Sequence, residues 1–328
     1  MHKNLGRLRT LGLGLAIFGL LSTAVLVPAP AAAQEGERGQ GCINTDLLQL
    51  QGINESQLLH GLGDAGWDYG DAPDSTKLPM TTFYTPPGAP IGMFPTIWPT
   101  ANSFFGTPGA RHQIVNVGWL GNDSVYPPAP NPANLNILSD SPPSREWDAD
   151  TFPDADPTTN LVGTTPDYDW YDDGLRAGLL FTGMPGTVTF RVSSTTGIGH
   201  WYVNVLFDWD YSGTWAGFDP LNGAPEWAVV NMPVTVAALK SQWFTSPPFL
   251  VGSTPSEPWI RITLSDTPIP MGMYPMGWDG STPPGTFDFN GYQAFACGET
   301  EDYCGKIRIE CKDPFYMGPR VRCDGSMG

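Results

Sequence analysis

Trp259-Ile-Arg-Ile-Thr-Leu264 sets Trp259, Arg261 and Thr263 against Ile260, Ile262 and Leu264, and Thr187-Val-Thr-Phe-Arg-Val192 puts Val188, Phe190 and Val192 on one face. Alternation with period two is what a strand needs to bury one side. Between and beside them lie Trp201-Tyr-Val-Asn-Val-Leu-Phe207, Trp227-Ala-Val-Val230 and Val234-Thr-Val236. Short strands with turn signals and no helix-length apolar run between them predict an all-β fold, an antiparallel, jelly-roll-like β-sandwich with long Pro/Gly-rich loops. The 328 residues include 39 Gly and 34 Pro, which rules out a long helical bundle. With 41% hydrophobic and 15% charged residues the chain is too apolar for a disordered tract and has enough for one sizeable core.

Outward from this region the signals weaken. Residues 73–166 hold 17 of the 34 prolines and one convincing β-type run, Gln113 to Leu120, so extended loop is expected there. Leu47, Leu48, Leu50, Ile53, Leu58, Leu59 and Leu62 predict a short helical extension over 34–66, with Asn54 three before Gln57 as its N-cap. Residues 1–33 pair a basic start (Lys3, Arg7, Arg9) with an apolar stretch from Leu11 to Val27 and with Ala31, Ala32 and Ala33. This is the pattern of a cleaved secretory signal, favoured over an uncleaved anchor because Pro28 and Pro30 close the stretch. Export to the extracellular space, the cell surface or a periplasm is therefore expected, with no membrane span in the mature chain. The formal charge of −17 argues against nucleic acid and anionic lipid as partners, leaving an extracellular protein or polysaccharide.

Four of the five cysteines, Cys297, Cys304, Cys311 and Cys323, fall in the last 32 residues. In an exported chain they read as disulfides; a zinc site is the sharper alternative, but the spacing lacks C-x-x-C knuckles. Lys306-Ile-Arg-Ile-Glu-Cys311 and Arg320-Val-Arg-Cys323 both alternate, so the basic tail 304–328 is expected to form a small hairpin that either docks on the acidic body or presents a partner-binding patch.

Asp outnumbers Glu by 24 to 9, and the acids cluster. In Asp208-Trp-Asp210-Tyr-Ser212-Gly213 oxygens recur at positions one, three and five with Gly at six, as in the first half of a calcium loop, where the glycine lets three side chains gather around one hard cation. Position twelve is Asp219. No flanking helices are predicted, so an EF-hand is excluded, and an Asx-rich turn is the alternative reading of the same residues.

Five segments in order resemble the GEVED domain of bacterial secreted and surface proteins. Trp67-Asp-Tyr-Gly-Asp-Ala-Pro-Asp-Ser75 is similar to its opening signature, Gly109-Ala-Arg-His112 to its next element, and Asp172-Asp-Gly174 to its acidic segment. Phe207 through Trp215 resembles its strand-end loop, and Gly298-Glu-Thr-Glu-Asp-Tyr303 the closing motif. Ser212 stands where Asp is usual, Asp210 where Asn is common, and a Pro-rich insertion separates the second and third segments. The resemblance spans 67–303 and implies a β-sandwich module with structural or adhesive use and no established catalysis. Calcium ligands are expected at Asp208, Asp210 and Ser212, joined by Asp68, Asp71, Glu299 and Asp302 if the opening and closing motifs meet.

For catalysis, His112 is the best candidate among His60, His112 and His200, but no nucleophile elbow or metalloprotease helix accompanies it. A hydrolase is the weaker alternative, and no enzyme is expected. A carbohydrate-binding module is the stronger one, with Trp170, Trp209 and Trp215 as its stacking platform beside Asp; the opposing reading puts these rings in the core.

Overall fold

The computed structural model describes residues 68–70, 72–74, 90–96, 108–114, 117–121, 174–194, 200–238, 240–272, 277–287, 291 and 293–311. The chain divides into Met1–Glu37 and Arg38–Gly328, and every described residue lies in the second unit. The signal and helical extension of 1–66, Asp71, Trp170, Cys323 and the Pro-rich insertion lie outside the described residues.

Thirteen strands and no helix occur among the described residues: β1 (Asp68–Tyr69), β2 (Arg111–Ile114), β3 (Gly118–Leu120), β4 (Gly178–Phe181), β5 (Pro185–Gly186), β6 (Thr189–Ser194), β7 (Trp201–Phe207), β8 (Trp227–Val234), β9 (Lys240–Thr245), β10 (Phe249–Leu250), β11 (Trp259–Ser265), β12 (Phe295–Cys304) and β13 (Ile307–Glu310). The main sheet runs β1-β2-β12-β11-β7-β8; β3-β6-β9 forms a second sheet, and β10-β5 and β13-β4 are two-stranded ribbons. The fold is all-β and sandwich-like, without a barrel. No helix of the described residues is long and apolar enough to cross a membrane.

Two pairings, β12 with β2 and β13 with β4, are parallel, which corrects the purely antiparallel expectation. The run from Gln113 to Leu120 is likewise two strands, not one: β2 belongs to the main sheet and β3 to the second. The run Trp227–Val230 continues instead to Val234 as one strand, β8, with Thr235 and Val236 beyond its end; β8 tolerates Pro233 because it is a sheet edge, where a missing N–H costs no ladder bond.

The expected alternation of β11 holds, yet all seven of its residues are buried. Ile260, Ile262 and Leu264 face a core shared with Phe190, Val192 and Leu120 of the second sheet and with Ile307 and Ile309 of β13. Trp259 faces a second apolar layer of Phe94, Trp215, Trp227, Trp278 and Phe295. Much of that layer comes from connecting segments, so the loops cover the sheet rather than leave its far face to water. Each fully buried aromatic contributes on the order of 2–3 kcal/mol.

Between these layers Arg261 is fully buried. Its Nε and Nη2 donate to Asp302 at 2.7 and 2.5 Å, its Nη1 to the carbonyls of Pro95 and Gly280, and its guanidinium lies 4.6 Å from the Trp215 ring. Gly70 makes room for the pair, since a β-carbon there would collide with the guanidinium and with Asp302. Gly298 adopts φ 116°, and a β-carbon on it would collide with the Leu264 carbonyl.

β13 is docked on the body. It pairs with β4 on one edge, and on the other Ile309 exchanges both backbone bonds with Ser256, at 3.1 and 2.7 Å. Ile307 and Ile309 supply side chains that the main core buries, and the expected hairpin partner 320–323 lies outside the described residues. Cys297 is buried and disulfide-bonded; Cys311 follows β13 directly, and nothing is described of the Cys304 side chain.

Candidate metal centre

β7 and β8 are antiparallel neighbours, so the residue that leaves one strand meets the residue that enters the other. Asp208 follows β7 and Glu226 precedes β8, and the Phe207 amide donates to the Glu226 carbonyl at 2.9 Å. With Asp210 they place three carboxylate oxygens within 4.8 Å of one another. Asp208 and Glu226 are buried and Asp210 is exposed, so the cluster opens to solvent on one side. These three side chains could hold a metal ion.

The loop between them is shaped by the acids themselves. Asp208 accepts the Ser212 amide on Oδ1 and the Gly213 amide on Oδ2, both at 3.0 Å, and Asp210 accepts the Ser212 amide at 2.9 Å. Tyr211 (φ 60°) and Gly213 (φ 79°) make the turn. The Asx-turn reading of this segment and the cation reading are thus both served by the same oxygens, since each carboxylate oxygen has more than one acceptor direction.

Glu226 differs in kind. It is 1% exposed, and its Oε1 has no hydrogen-bond partner among the described residues. Burial, then the Asp208 and Asp210 carboxylates, push its pKa far above the ordinary carboxylate range, so that it keeps its proton at neutral pH when no ion is present. Ionising a buried carboxyl beside two carboxylates is costly, and a cation offsets that cost by displacing the proton and giving the oxygens one shared partner.

Of the expected ligands, Ser212 shares a hydrogen bond between its Oγ and Thr214 Oγ1 at 2.9 Å. Asp219, at position twelve, holds the Leu221 amide and Ser253 instead. Glu226 was not in the expected set, because counting forward along a calcium loop looks within the loop, whereas the third carboxylate comes from its far end.

The opening and closing motifs do meet, but their acids serve as fasteners. Asp68 accepts the Thr300 amide at 2.8 Å, and Asp302 binds the Ala72 amide at 2.9 Å besides Arg261. Glu299 accepts the Leu120 amide; Glu301 accepts the Gly174 amide at 3.2 Å and the Tyr303 hydroxyl at 2.5 Å. Alternate residues of β12 therefore tie down β3 and the 174–175 segment on one face and the opening motif on the other. In this structure Asp68, Glu299 and Asp302 act as acceptors that fasten the two motifs together, Asp302 with its charge paired to Arg261.

Trp209 and Trp215 are also corrected. Trp209 is buried, stacked on Phe207 at 4.2 Å, with its Nε1 donating to the Pro225 carbonyl; Trp215 is buried 4.2 Å from Phe94. Neither ring can receive a sugar from solvent. His112 is buried in β2, bonded through Nε2 to Thr300 Oγ1 at 2.9 Å and stacked on Phe295. Desolvation, opposed by the Cys297 carbonyl and aided by Arg261, lowers its pKa to about 3. At neutral pH it is a neutral hydrogen-bonding strut.

Comparison of the chain with protein-family models, with curated proteins and with solved structures finds no match in any of the three, so its function is read from its own geometry.

Proposed function

We propose that the chain is a secreted, non-catalytic structural or adhesive binding module of the GEVED kind, a jelly-roll-like β-sandwich stabilised by calcium at Asp208, Asp210 and Glu226. The observation that carries this reading is the buried, unpartnered Glu226 oxygen facing two aspartates across the ends of one loop. Three hard oxygen donors with no thiolate or imidazole suit calcium rather than zinc or copper. Their mutual separation of up to 4.8 Å accommodates oxygens on either side of an ion at calcium–oxygen distances of about 2.3–2.6 Å. The ion would join the end of β7 to the start of β8 and hold closed a loop of 19 residues, 208–226. The spacing of the cysteines and of the leading 33 residues supports export, where calcium is abundant.

Thermal unfolding of the purified chain in excess calcium and in chelator, under non-reducing conditions, tests the reading. Calcium is expected to raise the midpoint by several degrees, an increment that Asp208→Ala plus Asp210→Ala removes. Equal midpoints in calcium and chelator would leave the acids as turn formers only.

A further inference from the structure

We infer that the outward face of the β3-β6-β9 sheet is a binding platform for an acidic, uronate-bearing polysaccharide. This names a ligand for the binding-module reading above and lies on a different sheet from the carboxylate cluster.

The register builds the face. Trp119, Ser193 and Ser241 are paired across the three strands in one row, and Arg191 and Trp243 are paired in the next row of β6 and β9. These residues alternate with Leu120, Phe190, Val192 and Phe244, which turn inward to the core. The five therefore share the opposite face. Trp243 is 47% exposed, much for a ring of that size, and Trp119 is partly exposed. Two strand spacings of about 4.8 Å and a two-residue offset along the strands set the backbones of the two tryptophans roughly 12 Å apart, with the serines and the arginine between them.

The side chains are also held in place. Arg191 lies 5.5 Å from the Trp243 ring centroid, and its Nε donates to Ser241 Oγ at 2.6 Å. Ser193 Oγ is fixed by the Gly121 carbonyl at 2.6 Å. With Nε used for positioning, the Arg191 terminal nitrogens have no hydrogen-bond or ion-pair partner among the described residues, so a planar fork of donors is available to a carboxylate.

Charge selects the class of ligand. The chain has 33 acids against 16 lysines and arginines, yet β3, β6 and β9 contain no acid. Exposed Arg176 bonds through its backbone to Thr189 at one end of β6, whereas Lys240, paired with Ser194 at the other, falls on the alternate face. An arginine fork beside an exposed tryptophan, on strands that carry no acid, matches a polymer that has apolar ring faces, hydroxyls and regularly spaced carboxylates. An acidic peptide would lack the ring faces, and a neutral glucan would leave the arginine unused.

Affinity electrophoresis of the chain through gels containing sodium hyaluronate, neutral dextran or poly-glutamate, in chelator, tests the proposal apart from the cation site. Retardation by hyaluronate alone is expected, weakened at least tenfold by Trp243→Ala and by Arg191→Ala, and restored in large part by Trp243→Tyr. Unchanged unfolding midpoints of the variants would show that the sheet is intact. Absence of retardation by hyaluronate, equal retardation by dextran or poly-glutamate, or wild-type binding by Trp243→Ala would each overturn it, whatever calcium titration of the same protein gives.

Discussion

Glu226 shows how much one buried side chain can carry. Placed at a strand start, it is out of water yet lacks a partner for Oε1, so the ion-free protein is burdened by it. Glu226→Gln keeps the shape and removes the acid; it is expected to raise the ion-free unfolding midpoint while abolishing the calcium-dependent increment, both read by calorimetry. His112 gives a second residue-scale expectation. Its folded pKa, about 3, lies below the unfolded value of 6.5, so the unfolded chain binds the proton first as pH falls. Stability is intact above pH 6.5 and declines toward pH 3, by on the order of 1 kcal/mol per pH unit. Asp266, raised to about 6 by burial, acts in the opposite sense: its contribution is present below its ordinary 3.8 and lost as pH rises to 6. The His112 effect is therefore isolated by difference. Urea unfolding of wild type and His112→Gln at a series of pH values is expected to show the gap closing, or reversing, as pH falls below 6.5.

At the scale of the element, β12 explains why an acid-rich motif can sit inside a core. Glu299, Glu301 and Asp302 each accept from amides, a hydroxyl or Arg261, and the Asp302 charge is paired where it lies. Removing one partner leaves the other stranded. Arg261→Ala is expected to cost about 3–5 kcal/mol in chemical denaturation, more than truncating an exposed arginine such as Arg308. Gly298→Ala is expected to destabilise as well, because its φ is positive and the Leu264 carbonyl occupies the space a methyl would need. Much at this scale was legible in the sequence: the faces of β11 and the exact extent of β7 follow from apolar alternation. β12 was read as a motif and not as a ten-residue strand, since Glu299, Glu301 and Asp302 hide the alternation that pairing partners, not hydrophobicity, sustain. β9, Lys-Ser-Gln-Trp-Phe-Thr, went unread because one polar edge strand gives almost no period-two signal.

Across the described residues a main sheet is sealed on both sides, by smaller sheets on one and by connecting segments rich in aromatics on the other. That arrangement decides which residues remain for binding. Trp209 and Trp215 stand beside aspartates in the sequence and could be read as a sugar platform, but the main core buries the first and the covering layer the second, and among the described tryptophans the exposed one is Trp243. In the same way two of the three cluster members, Asp208 and Asp210, were visible as a local pattern, while Glu226 becomes their neighbour only when β7 and β8 pair. Sequence shows which groups are available; closure of the loop over 208–226 shows which of them meet. Isothermal titration of calcium into the wild-type chain and into Glu226→Gln tests this most directly. The account expects one site in the wild type and at least a tenfold loss of affinity in the variant, and equal calcium affinity of the two proteins would contradict it.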